Sequence, residues 1–345
     1  MTTPTRIGIV GMDNWYHAFP FAHIISQTPG ASLVAVSDTD EDRLSWIRER
    51  HAGTELRADH ASIIDDPDID AVVINAATAE HADIAKAAAA KGKHVLCDKP
   101  LEVSVARARI IEEAFAGSGL VFAAALTRRP RVIMNMIKKL LDEGAIGRPL
   151  ASIEVGRFGF PQQSPRVFQP GWYGDKSRAG FGGFADFATH EIDMLRWFFG
   201  AEVTKVSGTL ANVLGKVQEV EDYGIATLEF DNGVIATVES SWITHGPGTN
   251  ALFIQGTAGT ITFDGTLKVN TPKANWEVQD TSKESLNVHG INLRVDGFRQ
   301  VLENFVDCIT GKAQTPYAGL PDVVAITKVL EAVSASNESG KPITL

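Results

Sequence analysis

Three ionisable residues in the second half of the chain, Asp186, His190 and Asp193, have the spacing of neighbours on a helix. At about 100° per residue, positions i, i+4 and i+7 project from one face. Oxidation of an alcohol requires loss of the hydroxyl proton, and an imidazole that titrates near neutrality is suited to accept it. His190 is therefore a candidate general base. Asp186 would orient the imidazole or bind a neighbouring hydroxyl, whereas Asp193 either shares this task or only anchors the helix.

The opposite stripe of the same helix is apolar. Its members, which we expect to pack on a sheet, are Ala188, Ile192, Leu195 and Phe199. The charged stripe would then face a cleft. A helix with this division of faces suits proton transfer at a bound substrate.

A lysine with a different role lies in the first half. Lys99 closely follows the apolar run His94–Cys97, which predicts a strand. In α/β folds, ligands bind at the carboxyl ends of the strands. The Lys99 ammonium would therefore reach a substrate oxygen and the ribose of a bound nucleotide cofactor. There it would stabilise a developing alkoxide. A lone Lys-Pro is otherwise usually a turn, and a lone His-x-x-Asp a solvated pair.

The elements that position these residues differ between the two halves. Apolar runs in the first half predict strands at Arg6–Gly11, Ser32–Asp38, Ala71–Asn75, His94–Cys97 and Val121–Ala125. Between them, helical segments such as Asp40–Arg50 and the alanine-rich Ala82–Lys91 indicate repeated βαβ units. This alternation is typical of a parallel sheet covered by helices on both faces.

The second half predicts longer, alternating strands and Gly-marked turns. The turn Asp231-Asn232-Gly233 separates two runs that read as an antiparallel hairpin, Ala226–Phe230 and Val234–Val238. Apolar residues from Phe298 to Ile309 recur at helical spacing, and a last helix is expected over about 321–336. We therefore expect two domains, residues 1–125 and residues 126–345.

The loop after the first strand is a degraded dinucleotide fingerprint. The pattern Gly-x-Gly-x-x-Gly lets backbone amides and a helix N-terminus approach a pyrophosphate. Gly11 matches its first glycine, but Asp13 and Tyr16 stand at the second and third. The loop either binds a dinucleotide with altered geometry or has lost its ligand and merely links strand to helix.

Asp38 favours the first alternative. It ends the second predicted strand, where a carboxylate accepts hydrogen bonds from the adenosine ribose hydroxyls and repels a 2′-phosphate. It therefore favours NAD, with NADP the less suited cofactor. The alternative role for Asp38 is to cap the following helix together with Thr39 and Asp40, and the two roles are compatible.

Three segments resemble the signatures of one family. The run from Gly92 to Pro100, Gly-Lys-His-Val-Leu-Cys-Asp-Lys-Pro, is similar to the Gly-Lys-His-Val-x-x-Glu-Lys-Pro signature of Gfo/Idh/MocA oxidoreductases, with Asp98 in place of Glu. Residues 182–193 resemble the family's Gly-Gly-x-x-x-Asp-x-x-x-His-x-x-Asp segment. The strand 72–74 followed by His81, and the ending Pro-Ile-Thr-Leu, are also similar, so the resemblance covers nearly the whole chain.

The resemblance implies an α/β Rossmann domain followed by a C-terminal α+β domain with a large, mainly antiparallel open sheet. It also implies hydride transfer between NAD and a secondary hydroxyl or ketone of a sugar, polyol or sugar derivative, with Lys99, His190 and Asp186 as the catalytic residues. The expected cofactor contacts are Gly11, Met12, Asp13, Asn14, Asp38, Asn75, His81 and Lys99. The expected substrate contacts, for which surface packing is the alternative, are Arg128, Arg129, Trp172, Tyr173, Lys176, Asp186 and His190.

Composition excludes several other classes. No apolar stretch reaches the roughly 18 to 20 residues of a membrane helix, and no signal-peptide region precedes the first strand, so we expect a soluble, cytoplasmic protein. Two cysteines, Cys97 and Cys308, are too few for a disulfide framework or a zinc site, and no metal is expected. A net charge of -10 argues against a nucleic-acid partner.

Two other functions stay open on the same fold. Some relatives use NAD transiently and act as redox-neutral glycosidases or lyases. A non-catalytic ligand sensor is motivated by Asp13 and Tyr16, although Lys99, Asp186 and His190 together argue against it. Family members commonly pair their open sheets, so the resemblance also implies a homodimer or homotetramer.

Overall fold

The computed structural model describes residues 3–217, 219–282 and 284–345. The strands are β1 Thr5–Val10, β2 Ala31–Ser37, β3 Glu55–Arg57, β4 Ala71–Ile74, β5 His94–Cys97, β6 Phe122–Ala124, β7 Pro149–Arg157, β8 Val203–Ala211, β9 Tyr223–Phe230, β10 Ile235–Ser241, β11 Thr249–Gly256, β12 Gly259–Phe263, β13 Thr266–Asn270, β14 Asn275–Gln279, β15 Ser285–Val288, β16 Ile291–Arg294 and β17 Ile343–Thr344. The helices are α1 Trp15–Ile25, α2 Glu41–Arg50, α3 Ala61–Ile64, α4 His81–Ala90, α5 Val105–Phe115, α6 Val132–Asp142, α7 Lys176–Ala179, α8 Gly183–Phe199, α9 Asp296–Ile309 and α10 Leu320–Ser339.

The chain divides into two compact units built from interleaved segments. The first unit contains Met1–Thr127, Gln162–Gly180 and Lys283–Val324. The second unit contains Arg128–Pro161, Phe181–Ser282 and Ala325–Leu345. The segment Gln162–Gly180 therefore folds into the first unit, although it lies in sequence between two parts of the second.

The first unit is built on a parallel sheet of six strands in the order β3-β2-β1-β4-β5-β6. This is the strand order of a Rossmann fold, whose ligands bind beyond the carboxyl ends of the strands. Because both faces of the central strands are covered, these strands are mostly apolar, as in β4 with its four buried residues. Helix α9 packs on α1, where the ring of Phe298 meets that of Phe21 edge to face at 5.1 Å.

The second unit is built on a sheet of nine strands in the order β14-β13-β12-β11-β7-β10-β9-β8-β17. All neighbours are antiparallel except β7 and β10. Helices α6 and α8 cover one face and bury an apolar layer with it, which includes Ile137, Met194, Phe198 and Ile254. On the other face, Ile153 and Ile235 keep about half of their surface exposed.

The predicted fold class is confirmed. A six-stranded parallel Rossmann sheet precedes a mainly antiparallel sheet, and the hairpin expected at Asp231-Asn232-Gly233 joins β9 to β10 in the pairing of Glu229 with Ile235. Across the described residues, none of the helices has the length and apolar character that crossing a membrane requires.

Candidate active site

The loop that follows β1 depends on the glycine at its start. Gly11 has φ +73°, a conformation that other residues rarely adopt. A Cβ on Gly11 would lie 2.7 Å from the Cα of Ala76, in the loop after β4. The first glycine of the fingerprint is therefore required for the close approach of these two loops, which lie at the carboxyl edge of the sheet.

Asp13 occupies the second glycine position of that loop. Its Oδ2 accepts a hydrogen bond of 3.1 Å from the backbone N–H of Ala77. Its Oδ1 lies 3.6 Å from Nη1 of Arg43 and 3.5 Å from Nη2 of Arg178. Burial raises the pKa of Asp13, although both guanidinium groups oppose the shift. Arg43 and Arg178 were not expected from the sequence.

Asp38 is buried at the end of β2 and holds the loop. Its Oδ2 accepts from the backbone N–H of Met12 at 2.7 Å, and its Oδ1 accepts from the N–H of Asp40 at 2.7 Å and from Nη2 of Arg43 at 2.8 Å. The N-terminus of α2 is capped by Asp40 instead, which accepts from the amides of Asp42 and Arg43. A carboxylate offers about four lone-pair sites, so Asp38 retains capacity for one further donor.

A cavity of about 810 Å³ lies beside these residues. Its lining includes Asp13, Asp38 and Arg43, together with His60 from the loop after β3. Trp172 and Arg178, from the segment Gln162–Gly180, complete the wall within the first unit. Its place at the carboxyl edge and its size fit a dinucleotide.

The predicted residues Trp172 and Tyr173 are buried against the loop. The indole Nε1 of Trp172 donates to the backbone carbonyl of Asp13 at 3.0 Å. The hydroxyl of Tyr173 donates to Oδ1 of Asn14 at 2.9 Å. Lys176 is exposed at the start of α7. The two aromatic residues therefore shape the loop after β1, and Lys176 stands at the surface of the same segment.

The turn after β5 is organised by Asp98, the residue that replaces the family's glutamate. Its Oδ1 accepts from Nδ1 of His17 at 2.6 Å and from the backbone N–H of Lys99 at 2.7 Å. Its Oδ2 accepts from the side-chain amides of Asn14 and Asn75 at 2.8 and 2.9 Å. Burial would raise the pKa of Asp98, but His17 and Lys99 outweigh it and hold that pKa below its usual range.

This network brings together three expected cofactor-site residues, Asn14, Asn75 and Lys99. His17 was missed by sequence reasoning because the fingerprint gives that position no role. The signal available was its place in the first turn of α1, three residues after Asn14.

His81 is completely enclosed beneath the same turn. Its Nδ1 lies 3.0 Å from the carbonyl oxygen of Leu101, and its Nε2 lies 3.0 Å from that of Ala76. Both nitrogens can donate only in the imidazolium form. Burial opposes that charge, but Cys97, Asp98 and the nearby Glu102 outweigh it and raise the pKa of His81 to about 10. His81 thus joins the loops after β4 and β5 from below.

In the second unit, α8 carries the predicted charged stripe. Its N-terminus is fixed by Glu221, whose carboxylate accepts from the amides of Gly182 and Ala185 at 2.9 and 3.3 Å. A Cβ on Gly182 would lie 2.0 Å from the Glu221 carbonyl oxygen, so the pair of glycines at this point permits the close approach. The helix ends at Gly200, which has φ +55°.

The three residues of the stripe differ in their surroundings. Oδ2 of Asp186 accepts from Nε1 of Trp242 at 2.9 Å. His190 is 6% exposed. Asp193 is held by Arg129 in a two-pronged ion pair, with Nε to Oδ2 at 2.9 Å and Nη2 to Oδ1 at 2.5 Å. This contact corresponds to the anchoring role considered for Asp193.

Arg128 is also engaged by carboxylates. Its guanidinium lies 3.3 Å from Oε1 of Glu191 and donates to Oδ1 of Asn250 at 2.8 Å. Glu191 in turn accepts from the hydroxyl of Ser240 at 2.6 Å. Burial, reinforced by Glu191, raises the pKa of Glu154 well above its usual range. Arg128 and Arg129, expected as substrate contacts, are thus both tied to residues of α8.

Two family models match the chain. Residues 5–126 match the oxidoreductase family with an NAD-binding Rossmann fold, and residues 134–262 match the GFO/IDH/MocA C-terminal domain. Among curated relatives, the chain is 34% identical to the levoglucosan dehydrogenase of Pseudarthrobacter phenanthrenivorans over 254 residues, or 66% of this chain and 64% of the relative. It is 28% identical to the scyllo-inositol 2-dehydrogenase (NAD(+)) of Bacillus subtilis, over 100% of this chain and 97% of the relative.

Solved structures show the same fold. A levoglucosan dehydrogenase in complex with NADH and levoglucosan superposes with a TM-score of 0.85 over 99% of each chain, at 24% identity. The two family models together span most of the chain. The chain therefore belongs to the Gfo/Idh/MocA family of oxidoreductases and is an NAD-binding enzyme of the class that acts on CH–OH groups.

Proposed function

We propose that the chain transfers a hydride between NAD and a secondary hydroxyl or ketone of a sugar, polyol or sugar derivative, with His190 as the acid/base and Lys99 as the electrophile. The observation that carries the proposal is the turn after β5, where Asp98 accepts four hydrogen bonds and one of them fixes the backbone of Lys99. A lysine whose backbone is fixed at the ligand-binding edge of a Rossmann sheet suits catalysis.

The residues would divide the chemistry as follows. His190 takes the proton of the substrate hydroxyl during oxidation and returns it during reduction. Lys99 stabilises the negative charge that develops on the same oxygen. Asp186, whose Oδ2 accepts a hydrogen bond from the indole of Trp242, binds a substrate hydroxyl or the imidazole of His190. NAD, when bound, supplies the hydride acceptor.

The cofactor residues support NAD in preference to NADP. The fit rests on the cavity of about 810 Å³ and on Gly11, whose missing side chain lets the loops after β1 and β4 meet. Met12, Asp13 and Asn14 would form the wall of the pyrophosphate site. Asp38, with one acceptor position left, would bind one ribose hydroxyl, and its charge would repel a 2′-phosphate. Asn75 and Lys99 would serve the nicotinamide end directly, whereas the enclosed His81 would serve it by fixing the turns that carry them.

The substrate class comes from the relatives, which are named for an anhydrosugar and an inositol. Trp172 and Tyr173, whose polar atoms bond to the loop after β1, and Lys176 are the aromatic and charged residue types that sugar sites use. We propose Arg128 and Arg129 as residues that act on the substrate site through α8, since both are bound to its carboxylates.

We also propose that residues 1–125 form the NAD-binding domain and residues 126–345 the substrate and oligomerisation domain, although the segments 162–180 and 283–324 of the latter fold into the first unit. The family matches at 5–126 and 134–262 support this division. The face of the large sheet opposite α8 exposes Ile153, Ile235 and Phe253, which suits pairing with a second copy in a homodimer or homotetramer. A cytoplasmic location is proposed because both cysteines are free thiols.

The test is turnover with NAD and a panel of substrates that includes levoglucosan and the inositols, with NADH followed by absorbance and products by mass spectrometry. Net NADH formation supports a dehydrogenase. Product without net NADH would instead establish a redox-neutral glycosidase or lyase. Tight binding of a sugar without turnover would establish a sensor, the alternative that Asp13 favours.

The catalytic roles are tested separately. His190→Gln should lower kcat by roughly 10²–10⁴-fold while binding of NAD persists. Lys99→Met should lower kcat to a similar extent and also weaken NAD binding, because Lys99 is a proposed cofactor contact. The exposed His245 offers a matched control in the second unit, since His245→Gln makes the same change at a surface position. Equal activity of the His190 and His245 variants would refute the role of His190.

A further inference from the structure

The carboxylate of Asp13 lies where a Rossmann loop usually offers bare backbone to phosphate. In Rossmann folds the loop between the first strand and the first helix faces the pyrophosphate, because the amides of the first helical turn attract anions. Here a negative charge occupies that place, and two guanidinium groups from separate segments face it. Arg43 comes from α2 and Arg178 from α7.

Both arginines have a shorter contact elsewhere. Arg43 donates to Asp38 at 2.8 Å, whereas its distance to Asp13 is 3.6 Å. Arg178 lies 3.0 Å from Glu80 but 3.5 Å from Asp13. Asp38 and Glu80 therefore hold the two side chains in place, and the contacts with Asp13 are the looser ones. Each guanidinium carries five N–H donors, so exchanging one partner does not require losing the other.

The other charged residues of the cavity wall are mostly carboxylates, which do not attract a phosphate. Among the described residues that line the cavity, the carboxylates are Asp13, Asp38, Asp40, Asp59, Glu80 and Asp175, and the guanidinium groups are those of Arg43 and Arg178. The guanidinium groups that a diphosphate would meet in this cavity are therefore the same two that face Asp13.

We propose that Asp13 is a built-in competitor of the cofactor pyrophosphate: it occupies Arg43 and Arg178 in the free enzyme and yields them to the phosphates when a dinucleotide binds. The inference rests on NAD binding in this cavity. Asp13 thereby weakens the affinity for every ligand that carries the diphosphate and speeds its release. The hydrogen bond from the Ala77 amide keeps the carboxylate from leaving the site when the arginines move.

The raised pKa of Asp13 is consistent with this arrangement, because two distant guanidinium groups only partly offset the burial of its charge. An asparagine at this position keeps an oxygen for the Ala77 amide and removes the charge. The substitution therefore separates electrostatic competition from the architecture of the loop.

The experiment is calorimetric titration of the purified protein with NAD and with ADP-ribose, in the wild type and in Asp13→Asn. The variant should bind both ligands about tenfold or more tightly, which corresponds to about 1.4 kcal/mol. Adenosine, which lacks phosphate, should bind with the same affinity to the wild type and to Asp13→Asn. Thermal melting of Asp13→Asn establishes that the loop change has not altered the fold.

Asp59→Asn is the matched control, since Asp59 lines the same cavity and caps the backbone of Ser62. It should tighten binding much less than Asp13→Asn. Equal gains in the two variants would mean that the cavity responds only to total charge, and would overturn the proposal. In an Arg178→Met background, which leaves only Arg43 to be released, the gain from Asp13→Asn should shrink.

The possible failures are distinguishable. If the wild type binds NAD and Asp13→Asn binds it no more tightly, Asp13 does not compete with the pyrophosphate and the proposed dehydrogenase still stands. If neither protein binds NAD or ADP-ribose, the proposed function fails together with this inference.

Discussion

The Nδ1 atom of His17 lies 2.6 Å from Oδ1 of Asp98, one residue before the candidate catalytic lysine. The same carboxylate accepts from Lys99, Asn14 and Asn75, so each oxygen receives two donors. An acceptor-only group suits this environment, whereas an amide would place its own N–H groups against donors. The contact explains how one buried side chain joins α1 to the turns after β4 and β5.

Asp98→Asn should therefore destabilise the protein. An unsatisfied buried donor costs about 1–3 kcal/mol, and the amide creates at least one such clash. The pKa of Asp98 is depressed in the folded state. Its contribution to the free energy of unfolding is therefore present above the pKa of the unfolded chain, about 3.9, and is lost as the pH falls through the pKa of the folded protein. Urea unfolding between pH 3 and 7 measures both effects. A variant as stable as the wild type would contradict the network.

His81 predicts a pH dependence of opposite sign. Its pKa is raised to about 10 in the folded protein and is about 6.5 in the unfolded chain. The stability it contributes is thus fully present below about pH 6.5 and disappears as the pH rises toward 10. Urea unfolding at pH 6, 8 and 10 should show a decline of a few kcal/mol in the free energy of unfolding of the wild type, since a pKa difference of one corresponds to about 1.4 kcal/mol. His81→Gln should show a smaller decline.

A direct measurement supplements the unfolding experiment. The ¹⁵N chemical shifts of the His81 ring at pH 8 report whether both nitrogens carry protons. Two protonated nitrogens are expected, because carbonyl oxygens face both. A neutral tautomer at pH 8 would refute the assignment. The exposed His245 serves as an internal reference resonance in the same spectra.

The fold was predictable from local patterns because strands buried on both faces read as apolar runs. The predicted strand His94–Cys97 has the bounds of β5, and the predicted Asp40–Arg50 helix differs from α2 by one residue at its start. Asp40 is the N-cap, and its side chain binds the first-turn amides. Local chemistry decides such boundaries, so sequence reasoning reached them.

The partners of the site residues were less accessible to sequence reasoning. Asp13 contacts Arg178, which is 165 positions away in the sequence. The N-terminus of α8 is fixed by Glu221, which lies 35 positions after Asp186. No periodicity in the sequence connects such pairs, because the tertiary fold of each unit decides which distant segments come into contact. The predicted Arg128 and Arg129 illustrate the same limit: a pair of cations suggests a ligand, but their carboxylate partners come from α8.

Gly11→Ala tests the loop geometry. The new Cβ would lie 2.7 Å from the Cα of Ala76 and would also force a left-handed residue, so both stability and NAD affinity should fall. Gly30→Ala is matched, because Gly30 has φ +84° but no atom within 4 Å of its Cβ position. It bears only the conformational cost of about 1 kcal/mol. Equal losses in urea unfolding would mean that contact with Ala76 is unimportant.

The Arg129 and Asp193 pair distinguishes an anchor from a substrate ligand. Both side chains are buried, and breaking such a pair by removing one partner costs about 3–5 kcal/mol. Arg129→Met should therefore lower the free energy of unfolding by that amount, and Asp193→Asn should add little to it in the double variant. A large rise in KM with unchanged stability would instead identify Arg129 as a substrate contact.

Pairing of the exposed sheet face is tested at Ile153. Its neighbours across the strands are Thr237 on β10 and Phe253 on β11, so the three form a continuous patch of which Ile153 is half exposed. Ile153→Lys would place a charge in the middle of an apolar interface and should dissociate the oligomer. Light scattering coupled to size exclusion measures the mass. Phe168→Lys makes a similar change at a residue that is 77% exposed in the first unit, and should leave the mass unchanged. A monomeric wild type would exclude the proposed pairing, and an Ile153→Lys oligomer of wild-type mass would place the interface elsewhere.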